Sequence, residues 1–254
     1  MKATAIIQAR MASTRLPGKV MADLAGRPVV ERVVERARLA PSVEIVLVAT
    51  SDQPSDDLLA AHCDAQGIPC YRGSQDDVLD RYYQAARHVG AEAIVRLTAD
   101  CPLLDPEVLE KVLAALRSGS FDYVSNTLEP TYPDGLDAEA FGRGALERAW
   151  HEAVLRSERE HVTAYIWKHP DRFRLGSVRH HEDLSGHRWT VDEPQDLEFV
   201  RRVYTYLGGK RFGMADVLSI LREHPDVLEV NRGFTRNEGY QKSLREDSRV
   251  VEDT

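Results

Sequence analysis

The sequence predicts an α/β fold, a three-layer arrangement in which a mostly parallel sheet carries helices on both faces. Two observations carry that prediction. Short apolar runs rich in β-branched residues alternate with longer amphipathic stretches through the first half of the chain. The same strand-then-helix order then returns after a segment without clean periodicity. Strands joined through helices run parallel, and right-handed crossovers place those helices on both faces. A chain of 254 residues suits one such domain with an insertion and can bury a large core.

Residues 3–7 (ATAII), 44–49 (EIVLVA) and 93–97 (AIVRL) have the length and β-branched content of buried strands. Residues 28–39 (PVVERVVERARL) set Val29, Val30, Val33, Val34 and Ala37 at helical spacing, with Pro28 near the first turn, where a missing N–H does no harm. Residues 55–66, 76–88 and 106–116 also read as helices, the last entered from Asp105 as N-cap. After Asp122 the pattern changes, and residues 123–140 are rich in Pro, Gly, Asn and Asp. Helices are expected over 144–155 and 158–169, strands over 172–178 and 187–191, and a helix over 194–207. Residues 1–207 are therefore read as the α/β domain, 123–185 as an α+β insertion in it, and 208–254 as a C-terminal helix with a polar tail.

Basic residues number 33 against 41 acidic ones, a formal charge of −8 with a pI near 5.6. That balance argues against a general nucleic-acid binder, which carries net positive charge or a dense basic stripe. No run approaches the ~18 consecutive apolar residues of a membrane span. The N-terminus lacks the apolar stretch of about 7–15 residues that a signal peptide needs. Cys63, Cys70 and Cys101 match neither a disulfide framework nor a zinc pattern. The expectation is a soluble, cytoplasmic protein without nucleic-acid or membrane partners.

The first strand runs into Gln8-Ala9-Arg10-Met11-Ala12-Ser13-Thr14-Arg15-Leu16-Pro17-Gly18-Lys19. In an open parallel sheet, ligands sit beyond the carboxyl ends of strands, where this loop begins. Small residues let backbone N–H groups approach an anion, and Arg10, Arg15 and Lys19 can neutralise it. A solvated connector is the plain alternative, but three cations after the first strand of an acidic chain favour phosphate. The spacing fits neither GxGxxG nor GxxxxGK[ST]. A loop lysine facing phosphate is expected to contribute little to stability.

Asp100 in LTADCPLL and Asp192 in TVDEP each follow an apolar run. Mg²⁺ typically takes one or two protein carboxylates and completes its shell with phosphate and water. Either aspartate could instead serve the backbone, Asp100 in a turn before Pro102 and Asp192 as cap of the helix at Pro194. Asn126, Tyr132, Asp134, Gly135, Asp137 and Glu139 crowd a loop expected to overhang the pocket. Glu160 and His161 follow on a helix, where such a pair could bond an acceptor or help remove its proton. A solvated helix face is the plainer reading of residues 158–160.

The segment QARMASTRLPGKVM resembles the signature of the cytidylyltransferases that make CMP-sugars. It is close to the first loop of 3-deoxy-manno-octulosonate (KDO) cytidylyltransferase and more distantly similar to that of acylneuraminate cytidylyltransferase. The segments SQDDVLDRYYQAA, TADCPLLDPEV, PDGLDAEAF, EREHVTAYI, RWTVDEPQDLEFV and NEGYQKSL resemble the subgroup named for spore-coat polysaccharide biosynthesis. The resemblance implies a nucleotide-diphospho-sugar transferase-like fold. It also implies CTP as substrate, with nucleotide contacts from Gln8, Ala9, Arg10, Ser13, Arg15, Lys19, Asp77, Arg81 and Thr98. Thr98 stands where the KDO enzymes have Gln. Arg81 matches an Arg of the KDO pattern, with an exposed i,i+4 pair to Asp77 as the alternative. The matching aspartates of the family hold magnesium, so Asp100 and Asp192 become the Mg²⁺ ligands. The inserted region carries acceptor contacts and the dimer interface in the family. Asn126, Asp134, Asp137, Glu160 and His161 are accordingly the acceptor candidates, and a homodimer is expected.

The reading is nucleotidyl transfer. An acidic acceptor attacks the α-phosphorus of CTP, pyrophosphate leaves, and Arg15, Lys19 and Asp100 stabilise charge. A nucleotide-sugar-dependent glycosyltransferase of similar fold is the alternative. Such enzymes usually show D-x-D at a strand end, whereas this chain has Ala99-Asp100-Cys101. A nucleotide-binding module without turnover is a third reading, against which the intact loop and both aspartates argue. Fold alone separates none of these.

Overall fold

The computed structural model describes residues 2–233, 238–245 and 247. The chain begins with β1 (Ala3–Gln8), a 3₁₀ turn at Lys19–Met21, and a small hairpin of β2 (Asp23–Leu24) and β3 (Arg27–Pro28). Then come α1 (Val29–Arg38), β4 (Val43–Ser51), α2 (Asp57–Ala65), β5 (Cys70–Gly73), α3 (Val78–His88), β6 (Ala93–Thr98) and α4 (Pro106–Arg117). The second half holds β7 (Tyr123–Ser125), β8 (Glu139–Gly142), α5 (Arg143–Glu152), α6 (Arg156–Glu160), α7 (Ala164–Lys168), β9 (Leu175–Ser177), α8 (Pro194–Leu207), α9 (Met214–Glu223) and α10 (Glu238–Arg245).

Seven strands form one sheet in the order β5-β4-β1-β6-β8-β7-β9. β8 runs antiparallel to both its neighbours, and every other pairing is parallel. Strand alternation divides the apolar side chains between two faces. Ile7, Val48 and Val95 join Val33 and Val34 of α1, Leu59 of α2 and Leu109 and Leu113 of α4. Ile6, Leu47 and Ile94 join Leu79 and Tyr82 of α3, Leu146 of α5 and Ile166 of α7. A third cluster packs α8 and α9 against Leu103, Tyr132, Leu136, Trp189 and Val191. It fixes the loops around the site. Among the described residues, no helix is long and apolar enough to cross a membrane.

The three-layer α/β reading holds, and several elements differ from expectation. The sheet's β5 was not expected, since CYRG is short and polar for a strand; it is an edge strand beside β4. Residues 123–185, read as an α+β insertion within the domain, supply β7, β8 and β9 to the main sheet. The strand expected over 172–178 is only Leu175–Ser177. That expected over 187–191 is a single bridge, Asp134 with Arg188. The helix expected over 158–169 is two helices, broken where Val162 takes φ +57°. Among the described residues, 208–247 hold two α-helices, α9 and α10, and a 3₁₀ turn at Pro225–Val227, where one helix was expected. Where a polar tail was expected after α9, the structure describes residues 224–233, α10 and Asp247; the rest of the tail lies outside the described residues.

Candidate active site

Three loops at the C-terminal edge of the sheet build the site. The first leaves β1 and is tied down at its root. Buried Asp56 accepts the Met11 N–H at 2.7 Å while also holding Thr50 Oγ1 and the Ser51 N–H. The loop then folds back, with Gly18 N–H on Met11 C=O at 3.0 Å. Gly18 sits at φ +72°, a left-handed conformation that glycine adopts without steric cost. The turn delivers Lys19 into the site.

The second loop follows β6 and the third precedes α8. The Val191 N–H donates to the Asp100 C=O at 2.8 Å, which sets Asp192 beside Asp100. Asp192 is not the helix cap. Asp196 takes the Asp192 and Glu193 N–H groups at 3.0 and 2.9 Å, leaving the Asp192 carboxylate for the site. Lys19 Nζ lies 2.7 Å from both Asp100 Oδ2 and Asp192 Oδ1. Arg15 adds a second cation, 3.0 Å from Asp192 Oδ2. Burial works against the Lys19 charge, but the two carboxylates outweigh it and raise its pKa above the ordinary value. Burial would likewise raise Asp100; the Lys19 charge and bonds from Lys19, Thr98 and Cys101 overcome it, holding Asp100 down to about 2.

Two cavities meet at this cluster. One, of about 560 Å³, is lined by Gln8, Ala9, Arg10, Ser13, Arg15, Lys19, Thr98, Asp100 and Asp192, and also by Glu160 and Ser243. The other, of about 540 Å³, is lined by Asp134, Asp137, Glu139, His161, Thr163, Trp167, Arg188 and Tyr240 among others. Arg15, Thr98, Asp100 and Asp192 border both. The loop carrying Asp134 and Asp137 is pinned to the third loop by Asp134 N–H to His187 C=O at 2.9 Å and Trp189 N–H to Asp134 C=O at 2.6 Å. Gly135, at φ +110°, makes that approach possible, because a Cβ there would meet the Trp189 carbonyl carbon at 2.6 Å. Val162, a β-branched residue in the left-handed region, is strained and wholly buried. Its two neighbours, His161 and Thr163, both face the second cavity.

Most expected nucleotide residues thus gather on one cavity, and Asp134, Asp137 and His161 on the other. Glu160 borders the first cavity rather than the second. Two expected site residues serve the fold instead, and the surface pair offered as the alternative for Arg81 does not form. Asn126 is fully buried and clamps the loop backbone, donating to Leu136 C=O and accepting from Ala138 N–H, so its amide is spent on folding. Asp77 caps α3 through the Asp80 N–H and is gripped by Arg159 at 2.6–3.1 Å, so it is a structural tie between α3 and α6. Arg81 is fully buried rather than paired on a helix surface. It donates from Nη1 to Ser74 C=O, while Nε and Nη2 have no partner among the described residues, and burial lowers its pKa.

The sequence reading missed Arg188, Arg96 and Tyr240. Arg188 holds wholly buried Asp196 with two bonds of 2.9 and 2.8 Å. Arg96 bonds Glu139, which also accepts from Tyr123 and Thr163. A charge inside the strand AIVRL was the available signal for Arg96. Tyr240 lies in NEGYQKSL, a segment of the resemblance, but only folding brings α10 back to α6 and shows where its ring stands. Among the described residues, no group of three or more His, Cys, Asp or Glu forms a metal cluster.

Comparison with known proteins agrees with this architecture. Residues 4–211 match the cytidylyltransferase family. The spore coat polysaccharide biosynthesis protein SpsF of Bacillus subtilis is 33% identical over 232 residues, covering 87% of this chain and 95% of that protein. A 3-deoxy-manno-octulosonate cytidylyltransferase of Anaeromyxobacter dehalogenans is 42% identical over 116 residues, 45% of this chain and 47% of that one. The solved structure of a cytidylyltransferase from Leptospira borgpetersenii superposes with a TM-score of 0.86 at 28% identity, covering 92% of this chain and all of the other. The match spans most of the chain, including all three site loops, and the chain belongs to the cytidylyltransferase family.

Proposed function

We propose that the protein transfers CMP from CTP to an acidic sugar or related acid, releasing pyrophosphate, in surface polysaccharide or glycoconjugate assembly. The meeting of two cavities at Asp100 and Asp192 carries this reading. A triphosphate along the first loop would present its α-phosphorus to an acceptor oxygen in the second cavity. Attack by that oxygen forms the new P–O bond as the bond to pyrophosphate breaks. Catalysis of this kind is mainly positioning and charge neutralisation, which Arg10, Arg15 and Lys19 supply on the leaving side. The acceptor class rests on the relatives, named for KDO cytidylyl transfer and for polysaccharide biosynthesis.

The carboxylates fit a magnesium ion. Two hard oxygen donors already share one cation, the Lys19 ammonium, and Mg²⁺ commonly accepts two carboxylates with phosphate and water. When bound, the ion neutralises phosphate charge and draws electron density from phosphorus. Asp100 and Asp192 would hold it, with Lys19 and Arg15 turning to the phosphates.

Pyrophosphate release from CTP, UTP, GTP and ATP, each with Mg²⁺ and a panel of sugar acids, tests the reading. CTP with one of the acids is the expected pair. Turnover confined to another nucleotide, or transfer from a UDP-sugar, would overturn it.

A further inference from the structure

We infer that the C-terminal helix α10 is the acceptor-side wall of the site and that Tyr240 on it is a specificity determinant. This rests on the nucleotidyl-transfer reading above and extends it to residues beyond 211, where the family match ends. α10 is held on α6 by side chains at both cavities. Ser243 donates to Glu160 Oε2 at 3.0 Å, leaving its oxygen to accept from His161 Nε2 at 2.9 Å. Asp247, just beyond the helix, accepts the Ser157 N–H and Oγ–H at 3.0 and 2.8 Å, closing the first turn of α6.

That docking places the Tyr240 ring in the second cavity. It stands edge-on to His161, with centroids 5.0 Å apart at 87°, and to Trp167, at 5.3 Å and 69°. The Lys168 ammonium lies 5.8 Å from its centroid. Three rings at steep angles make an aromatic corner. The same cavity is also lined by Asp134 and Asp137, whose carboxylates can accept from hydroxyl groups. A ligand satisfying both has a face of C–H groups and an edge of hydroxyls, as a pyranose ring does. Tyr240 therefore packs on the carbon skeleton of a ring-closed sugar acceptor, while Ser243 fixes His161 beside it.

Tyr240→Ala and Tyr240→Phe test the wall, with CTP, Mg²⁺, and KDO or N-acetylneuraminate as acceptor. The expected result for Tyr240→Ala is an acceptor KM raised about tenfold, the KM for CTP within about twofold of the parent, and recovery of most of the loss in Tyr240→Phe. An unchanged acceptor KM, or equal weakening of CTP and acceptor, overturns the proposal. A second readout needs no acceptor. Diethyl pyrocarbonate labelling of His161, read by mass spectrometry, should rise several-fold in Tyr240→Ala; equal labelling in both proteins overturns the wall. If the parent enzyme uses neither sugar acid, the acceptor reading fails while His161 labelling still decides the position of α10.

Discussion

The Lys19 ammonium lies 2.7 Å from a carboxylate oxygen of Asp192, a residue 173 positions further along the chain. The same nitrogen touches Asp100. All three side chains are mostly buried, so removing the cation leaves two facing carboxylates poorly compensated. Lys19→Met keeps the apolar stem and deletes the charge. In metal-free buffer it should cost about 1–3 kcal/mol. This revises the expectation that a loop lysine matters little to stability. Urea unfolding with and without Mg²⁺ checks it: the ion should restore more stability to the variant than it adds to the parent. A loss below about 0.5 kcal/mol would show the pairing to be worthless in solution.

Two ligands of one ion act as a unit, so Asp100→Asn and Asp192→Asn should be strongly non-additive. Pyrophosphate release followed against Mg²⁺ concentration gives the cycle. Each single change should raise the magnesium requirement and cut the rate, and the double should be little worse than the poorer single. Losses that simply multiply would separate the two carboxylates into independent roles.

The sheet and its first-loop site were legible because they follow local rules. Strands of β-branched residues announce themselves in ATAII and AIVRL, and a cationic loop after the first strand has a fixed place in an open sheet. What local pattern hid was set by distant contacts. The helix start at Pro194 left a capping role open for Asp192 beside the metal-ligand reading; Asp196 does that work instead. Asn126 and Asp77 looked like polar site residues, yet their bonds go to Leu136, Ala138 and Arg159. The left-handed, wholly buried Val162 interrupts the continuous helical period that the sequence suggests.

Arg81 has two buried guanidinium nitrogens without partners among the described residues; burial and Arg10 oppose its charge more than Tyr82, Asp56 and Asp52 support it. A buried cation so poorly compensated costs folding energy, so Arg81→Met should leave the melting temperature equal or higher. If those donors serve the nucleotide, CTP binding should weaken by about tenfold or more, the loss of a charge-assisted bond. Calorimetric titration with CTP and a thermal melt, taken together, decide the matter. A large fall in melting temperature with CTP affinity intact would make Arg81 a purely structural residue.

His161 predicts a specific pH dependence. Burial lowers its pKa to about 4, the nearby Arg96 charge adds to the effect, and Glu160 and Glu139 oppose it; Lys168 acts with Arg96. In the unfolded chain an ordinary histidine takes its proton near pH 6.5. Between roughly pH 6.5 and 4 the unfolded state therefore binds more protons at this site than the folded state, and stability falls as pH falls. Burial lowers His187 in the same direction, so the slope of the parent alone does not isolate His161. Asp100, held near 2, contributes its own loss only at lower pH, from about 4 downwards. His161→Gln removes the titration while keeping a polar group near Ser243. Urea unfolding at pH 7 and at pH 4.5 should show the variant losing less stability than the parent, by roughly 1–3 kcal/mol. Equal losses in both proteins would mean that His161 titrates freely in the folded state, and that neither Ser243 nor the Tyr240 ring shields it from water.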